Sequence, residues 1–295
     1  MNLKDLEVFQ TVANKGTITK AAKHLNYVQS NITSRIQKLE TELNTKLFNR
    51  HQRGMTLTPE GKKLITYSEK ILSLTNEMQK VLQSKRDPAG KLEIGTVETV
   101  IKLPQILAKY NKNYQHVDLS LYTGVTNQLQ KDVLNHKLDG AFVIETVQHP
   151  DLISHLVCQE ELVLISSQHV SSLEDIKNEP FLCFSEGCAY RARLESWYFD
   201  QNITNFKVME FGSFETILSS VAVGLGVTFV PKSAVSRMAK RDMIRVHHLP
   251  AKYSHINTIF IRRANAYLTT TIEKFIDTIE LSRHEDTKPL TFGFA

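Results

Sequence analysis

Apolar residues in the first 58 positions recur at the three- and four-residue spacing of short amphipathic helices. Gly16 ends the first of these, whose apolar row is Leu3, Leu6, Phe9 and either Val12 or Ala13. Thr17 or Thr19 can cap a second helix, where small residues at 21–22 allow another helix to approach closely. After a break at Asn26, a third helix carries an inward row at Ile32, Ile36, Leu39 and Leu43. This succession predicts a helix-turn-helix.

The outer face of the third helix carries amide, hydroxyl and cationic side chains, and no acidic one. Amides can pair with adenine, arginine with guanine, and hydroxyls with phosphates or base edges. We therefore predict that this face contacts DNA, the alternative being an ordinary solvated surface. The candidate DNA contacts in this part of the chain are Thr17, Thr19, Gln29, Ser30, Asn31, Thr33, Ser34, Arg35 and Lys38.

Residues 47–58 predict a β-hairpin that turns at Arg53 and Gly54. Arg50 and Arg53 on this wing are well placed to bind backbone phosphates. Thr58 caps the helix that follows, with Pro59 at its first position.

The helix over 59–86 has a seven-residue apolar period that lasts for nearly three heptads. Such a period favours a helix–helix interface between two subunits, called the seam below. The alternative is that the helix packs on its own domain. Residues 87–90, Asp-Pro-Ala-Gly, predict a hinge after it. The candidate dimerisation residues are Leu64, Tyr67, Ile71, Leu74, Met78 and Val81.

From residue 91 onward, strand-like segments alternate with helical ones, which favours α/β architecture with parallel sheets. Ligands bind such folds at the carboxyl ends of strands, where helix N-termini offer free N–H groups. Small polar residues there are also common helix caps. Arg191 and Arg193 can neutralise an acidic effector or pair with Glu195. The candidate effector contacts are Thr96, Glu98, Thr99, Thr126, Ser185, Glu186, Gly187, Cys188, Arg191, Ser213, Phe214 and Glu215.

Charge is distributed unevenly along the chain. Its length of 295 residues suggests about two domains. Residues 1–90 hold 15 Lys and Arg against 8 Asp and Glu, whereas the remainder holds 21 against 23. This asymmetry indicates an N-terminal unit for a polyanion, unless it is merely solubilising charge. No apolar run approaches a membrane span, the N-terminus lacks a signal-peptide core, and three cysteines are too few for a disulfide framework. We therefore expect a cytoplasmic protein.

Leu3 to Gly61 resembles the winged helix-turn-helix of LysR-type transcriptional regulators. The matching run includes Gly16-Thr17-Ile18, Ala21-Ala22, Gln29-Ser30-Asn31-Ile32-Thr33, Leu39-Glu40 and Leu57-Thr58-Pro59-Glu60-Gly61. A second run, Phe214-Glu215 through Gly224-Leu-Gly226 to Pro231, looks like the family's second-subdomain signature. The chain departs from many members at Ser30-Asn31, where they have Pro-Ala, and at Thr33, where Ser is usual.

The resemblance implies a winged helix-turn-helix over 1–58, a linker helix over 59–86 and an α/β effector-binding domain over 91–295. That domain would comprise two Rossmann-like subdomains of the periplasmic-binding-protein type, about 91–161 with 266–295 and about 162–265, joined by crossing strands. The implied partners are double-stranded DNA with an inverted-repeat operator, a small effector that is acidic if the arginines bind it, and a second copy of the chain as homodimer or homotetramer. RNA polymerase is a further candidate partner.

Other functions find less support in the sequence. Cys188 near two arginines could instead be a redox switch, but its spacing from Cys183 differs from that of the family's peroxide sensors. No dinucleotide, phosphate-loop or serine-elbow motif occurs, and the histidines show no helical ligand pair, so we expect no enzyme, cofactor or metal site. A solute-binding protein would not explain the basic N-terminal unit.

Overall fold

The structure, a computed structural model, describes residues 1–52, 54–83, 87–144, 149–170, 173–203 and 206–284. Arg53, residues 84–86 of the predicted linker and residues 285–295 lie outside the described residues. The chain forms two compact units, one over Met1–Leu82 and one over Gln83–Leu134 with the residues from Leu138 onward. Among the described helices, none has the length and apolar character to cross a bilayer.

The first unit contains four helices and a two-stranded antiparallel hairpin. Its core is made by the inward faces of the first three helices and by Phe48 of the hairpin, whose ring lies 5.3 Å from that of Phe9. In chain order the elements are α1 (Leu3–Lys15), α2 (Ile18–Leu25), α3 (Gln29–Glu42), β1 (Phe48–His51), β2 (Gly54–Leu57) and α4 (Pro59–Gln83).

The predicted helix ends are confirmed by the backbone and by the capping bonds. Gly16 ends α1 in the left-handed conformation, with φ of 71°. Thr17, not Thr19, caps α2 by accepting a hydrogen bond from the Lys20 amide. The prediction that Leu43 faces the core is wrong, because α3 ends at Glu42 and the Leu43 side chain is 39% exposed.

The wing is fixed against the turn between α1 and α2. The Met55 amide donates to the Gly16 carbonyl oxygen at 2.8 Å. At Gly54, with φ of 139°, a Cβ atom would stand 2.3 Å from that same oxygen, so only glycine fits without a shift of the backbone. This contact sets the position of the hairpin relative to the helix-turn-helix.

Helix α4 begins as predicted, because the Thr58 hydroxyl accepts from the Gly61 amide at 2.9 Å. Its first turns pack on the core of the first unit through Leu64 and Ile65. Farther along the helix an apolar row lies open to solvent, and this row consists of Tyr67, Ile71, Leu74 and Met78.

The second unit is built on a seven-stranded mixed sheet and a separate parallel pair. The strands of the unit are β3 (Gly90–Thr96), β4 (Val117–Thr123), β5 (Gly140–Ile144), β6 (Leu152–Ser166), β7 (Phe181–Cys183), β8 (Val208–Glu210), β9 (Thr228–Pro231), β10 (Arg245–His248) and β11 (His255–Arg263). Its helices are α5 (Leu103–Asn113), α6 (Thr126–Leu134), α7 (Leu173–Ile176), α8 (Ala189–Asp200), α9 (Phe214–Ala222), α10 (Lys232–Lys240), α11 (Ala251–Ser254) and α12 (Thr270–His284).

The long strand β6 joins two lobes within this unit. Its first part pairs antiparallel with β11, which also pairs with β5 beside the parallel strands β3 and β4. Its last part pairs with β9 and β10, next to which the parallel pair β7–β8 lies. The predicted two-lobed α/β architecture with crossing strands is confirmed, and the purely parallel pairing expected from the alternation is wrong at β6, β9, β10 and β11.

One apolar cluster runs from the first lobe into the second, and a smaller one lies within the second lobe. The first lobe is centred on aromatic rings, with Phe142, Phe260 and Phe275 between 5.0 and 6.0 Å apart. The second lobe buries the last residues of β6 against α9 and α10, through Val163, Ile165, Ile217 and Val235. These rigid cores hold the strand ends between which the cavity of the second unit lies.

Candidate functional sites

The exposed face of α3 presents hydrogen-bonding groups at the start of the helix. Gln29, Ser30 and Asn31 fill its first turn and are exposed, as are Ser34 and Lys38 farther along. Val28, the residue before the helix, supplies no side-chain cap, so within the described part of the chain no side-chain cap covers the first N–H groups of α3. The N–H groups at an uncapped helix N-terminus can donate to phosphate oxygens, and side chains of the first turns can contact base edges.

Two predicted contacts on α3 are engaged within the unit instead of pointing freely outward. Arg35 is half-buried and forms an ion pair of 2.8 Å with Asp5, a carboxylate that is only 1% exposed. The Thr33 hydroxyl donates to the Gln29 carbonyl oxygen at 2.9 Å, so it offers only lone pairs to a further partner. Arg35 is therefore held by partners inside the unit, and its contact with DNA stays a prediction.

The wing presents Arg50 and His51 to solvent on β1. Thr17 is occupied as a helix cap and half-buried, whereas Thr19 is exposed on α2. In the first unit, α3 exposes amides, hydroxyls and a cation, and β1 exposes Arg50 and His51, groups that can donate to an anionic backbone and to base edges.

The second unit contains a cavity of about 640 Å³ at the carboxyl ends of its two parallel strand pairs. This is where open α/β sheets bind ligands, and the volume suits a small molecule. The cavity brings together five of the predicted contacts, namely Glu98, Thr99, Thr126, Ser185 and Cys188. It is also lined by residues that the sequence did not single out: Val97, Thr123, Gly124, Val125, Gln128, Ile144, Phe184, Ala189, Tyr190, Glu210, Phe211 and Gly212.

Three hydroxyls in the lining are buried without a hydrogen bond of good geometry to a described residue, although those of Thr99 and Tyr190 interact with each other. The Thr99 and Thr126 hydroxyls are buried, with each residue 1% exposed, and neither has a hydrogen bond of good geometry within the described residues. The Tyr190 hydroxyl is buried beside Thr99, and burial raises the pKa of Tyr190 so that it stays neutral. Since an unsatisfied buried hydroxyl is costly, these groups are suited to a bound polar molecule.

Thr126 is not a helix cap, although small polar residues after strands often are. Thr126 is the first residue of α6, and its hydroxyl caps nothing. Thr96 also fails to reach the cavity, because it is buried and its hydroxyl donates to the Val97 carbonyl oxygen.

Hydrogen bonds between described residues cross the cleft between the lobes. The Glu98 carboxylate accepts from the Phe214 amide at 2.6 Å, at the beginning of α9. The Asn127 amide donates to the Gly187 carbonyl oxygen at 3.3 Å. The α9 N-terminus, where Ser213, Phe214 and Glu215 were predicted to contact an effector, is thus occupied by a carboxylate of the chain itself.

The predicted arginine partner of an acidic effector is already neutralised. Arg191 forms ion pairs with Glu195 at 2.8 Å and with Glu210 at 2.5 Å, and these raise the pKa of its guanidinium. Arg191, with Glu186 and Gly187, lines a neighbouring groove and not the cavity. The described lining of the cavity contains two carboxylates, Glu98 and Glu210, and no Lys, Arg or His.

The cysteines lie in an environment that keeps them protonated. Burial raises the pKa of Cys188, and it raises the pKa of Cys183 to about 12. Since the thiolate is the reactive form, neither sulfur is activated for oxidation. Within the described residues, no group of three or more His, Cys, Asp and Glu could hold a metal ion.

Comparison with known families agrees with both units. The lysR family of bacterial regulatory helix-turn-helix proteins matches residues 3–62, and the LysR substrate binding domain matches residues 85–282. The fold and sites define a DNA-binding regulator with a ligand-binding unit. The chain belongs to the LysR family of transcriptional regulators.

The relatives cover nearly the full chain. This chain is 54% identical over 280 residues to the HTH-type transcriptional regulator SoxR of Arthrobacter sp. (strain TE1826). The match spans 95% of this chain and 97% of the relative. The chain is 49% identical over 279 residues to the regulator CzcR of Bacillus subtilis (strain 168), with 95% and 97% covered. Full-length CbnR complexed with its target DNA has a TM-score of 0.70 at 20% identity, covering 96% of this chain and 100% of that one, which shows the fold alone.

Proposed function

We propose that this regulator binds an inverted-repeat operator as a homodimer or a pair of homodimers, with one α3 in the major groove of each half-site. The exposed, acid-free first turn of α3 carries this proposal, because its amides and hydroxyls can distinguish base edges. Arg50 of the wing supplies a charge for the phosphate backbone. Since the partner is chromosomal DNA, we expect the protein in the cytoplasm, with RNA polymerase as a further candidate partner.

Two substitutions separate base contacts from backbone contacts. Gln29→Ala should reduce the preference for the operator over random DNA by about 5- to 100-fold, the value of one bidentate base contact. Arg50→Ala should weaken binding to every sequence alike and reduce the slope of log K against log salt by about one per subunit. Filter binding over a salt series measures both. Unchanged specificity in Gln29→Ala would remove α3 as the base-contacting face.

The exposed apolar row of α4 supports the homo-oligomer. Tyr67, Leu74 and Met78 are each more than half exposed, which is unfavourable in water and is relieved when two copies of the helix pair. A dimer also places two α3 helices on the two halves of a repeat. Leu64 takes part in the core of its own unit, so the proposed seam begins three residues later, at Tyr67.

We propose further that a small effector binds the cavity between the lobes. Thr99 and Thr126 would hydrogen-bond its polar groups, and Val97, Ile144 and Phe211 would pack on its apolar part. The Glu98 carboxylate, in a described lining without Lys, Arg or His, favours a neutral or amine-bearing molecule over a dicarboxylate. A ligand that changes the closure across Glu98 and Phe214 would shift the equilibrium between two states of the regulator.

Thermal shift with a panel of small molecules tests the cavity. A neutral or amine-bearing ligand should raise the Tm of the wild-type protein, and Thr99→Val should lose much of that rise because the replacement keeps the volume and removes the hydroxyl. Thr19→Val, on the exposed surface of α2, is the matched control and should keep the full rise. Stabilisation by dicarboxylates alone would contradict the assignment of the effector class.

Sensing of oxidants through Cys188 is the weaker candidate, because burial disfavours the reactive thiolate. We expect no catalytic activity, since the relatives that match along nearly the whole chain are transcriptional regulators.

A further inference from the structure

We propose that Arg35 is a positioning residue that fixes the Asn31 amide as a hydrogen-bond donor toward DNA. Asn31 should consequently recognise the acceptor edge of guanine in each half-site, and not pair with adenine. This inference rests on the operator binding proposed above and concerns the base preference at one position of the operator.

The guanidinium of Arg35 bridges two residues from two helices. Its Nε donates to the Oδ1 atom of Asn31 at 2.9 Å, and an Nη atom donates to Oδ1 of Asp5 at 2.8 Å. Asp5 is buried in α1, and the guanidinium carbon lies 6.0 Å from the centre of the Tyr27 ring. Because the buried carboxylate and the aromatic ring hold the guanidinium in place, its Nε is a fixed donor one helical turn after Asn31.

This contact decides which end of the Asn31 amide is available. An asparagine pairs with adenine by using its oxygen as acceptor and its nitrogen as donor in one plane. Here the oxygen already accepts a charge-assisted bond, and the positive charge beside it disfavours a second donor such as the adenine amino group. The Nδ2 hydrogens remain, and guanine presents two acceptors, N7 and O6, in the major groove.

The location of Asn31 makes the effect specific to one base pair. Asn31 is exposed in the first turn of α3, where base-contacting side chains lie in helix-turn-helix proteins. Gln29, also exposed in that turn, has no comparable fixed partner among the described residues and keeps both amide functions available. We therefore expect Asn31 to act toward DNA as a donor only, and Gln29 to act as both donor and acceptor.

Selection of operators from a randomised DNA library, followed by sequencing, tests the inference with the full chain. The wild-type protein should select guanine at the position that depends on Asn31, and Asn31→Ala should reduce that preference about tenfold while the rest of the motif persists. Asn31→Asp keeps an acceptor for Arg35 but removes the donor, so it should lose the same preference. Gln29→Ala is the matched control and should change a different position.

Arg35→Lys tests the positioning role, because an ammonium cannot bridge Asp5 and Asn31 with the fixed geometry of a guanidinium. It should allow adenine at the Asn31 position and leave the remaining positions unchanged. A uniform loss of affinity, in Arg35→Lys or in Asn31→Ala, would show a structural role or a phosphate contact and overturn the proposal. Adenine at this position in the wild-type selection would overturn it as well. A wild-type protein that selects no motif would instead refute the operator binding itself.

Discussion

The exposed apolar row of α4 gives the most quantitative prediction. Leu74 is 55% exposed and Met78 is 53% exposed, although both are large apolar side chains. Full burial of such a side chain stabilises by about 1.5–3 kcal/mol, so covering the exposed half contributes roughly 1 kcal/mol. In a two-fold symmetric dimer each substitution occurs twice, and Leu74→Ala should cost about 2 kcal/mol of dimer stability, or roughly 30-fold in the dimer Kd.

Sedimentation equilibrium measures this change directly, over a range of protein concentrations. Leu74→Glu together with Met78→Glu should leave mostly monomer, since the seam would then have to bury carboxylates. Asn76→Ala, on an exposed position of the same helix outside the heptad row, is the control and should keep the wild-type Kd. Circular dichroism should show equal helix content in all variants. If the charged double variant keeps the wild-type mass, the seam does not lie on this row.

Four further substitutions give predictions from the structure. Gly54→Ala should lower the free energy of unfolding of the first unit by about 2 kcal/mol or more, because its Cβ would collide with the Gly16 carbonyl oxygen. The Cβ of Gly16→Ala would meet open space, so this variant should cost only the left-handed backbone penalty of about 1 kcal/mol. Urea titration measures both free energies of unfolding, and a larger loss in Gly16→Ala than in Gly54→Ala would contradict this account. Cys188→Ser should respond to peroxide in DNA-binding assays as the wild type does, because the buried thiol is protonated at neutral pH; a lost response would establish the redox alternative. Glu98→Gln keeps an acceptor for the Phe214 amide but loses its charge, so hydrogen exchange of that amide should become faster by about three- to tenfold, as expected when a charge-assisted bond becomes neutral. An unchanged exchange rate of the Phe214 amide would show that its hydrogen bond to Glu98 adds little to closure of the cleft.

The first unit could be predicted in detail because its signals are local. Gly16, Thr17 and Thr58 act on backbone groups within a few residues, and the sequence therefore predicts the helix ends they produce. Leu43 was mispredicted because a spacing pattern does not show where a helix stops. The role of Arg35 depends on Asp5, thirty residues earlier, and such a tertiary pair leaves no periodic trace in the sequence.

In the second unit, the strand ends could be predicted but not their pairing across the lobes. Thr99 and Ser185 line the cavity as expected, because chain position relative to a strand predicts which end of the sheet a residue occupies. Tyr190 and Glu210 were missed, since they reach the cavity only through the packing of one lobe against the other. The sequence carries no clear strand signal in the first half of β6, because Ser154 and His155 interrupt the apolar pattern of a strand.

The most direct test of the regulator is footprinting of the purified protein on the DNA immediately upstream of its own gene, over a salt series and with random DNA as competitor. The account predicts two protected half-sites on one face of the duplex, about one helical turn or a multiple of it apart, with an affinity that falls steeply as salt rises. A selection from genomic DNA fragments extends the test to distant operators. Binding that shows no preference over random DNA in both experiments would contradict the central claim.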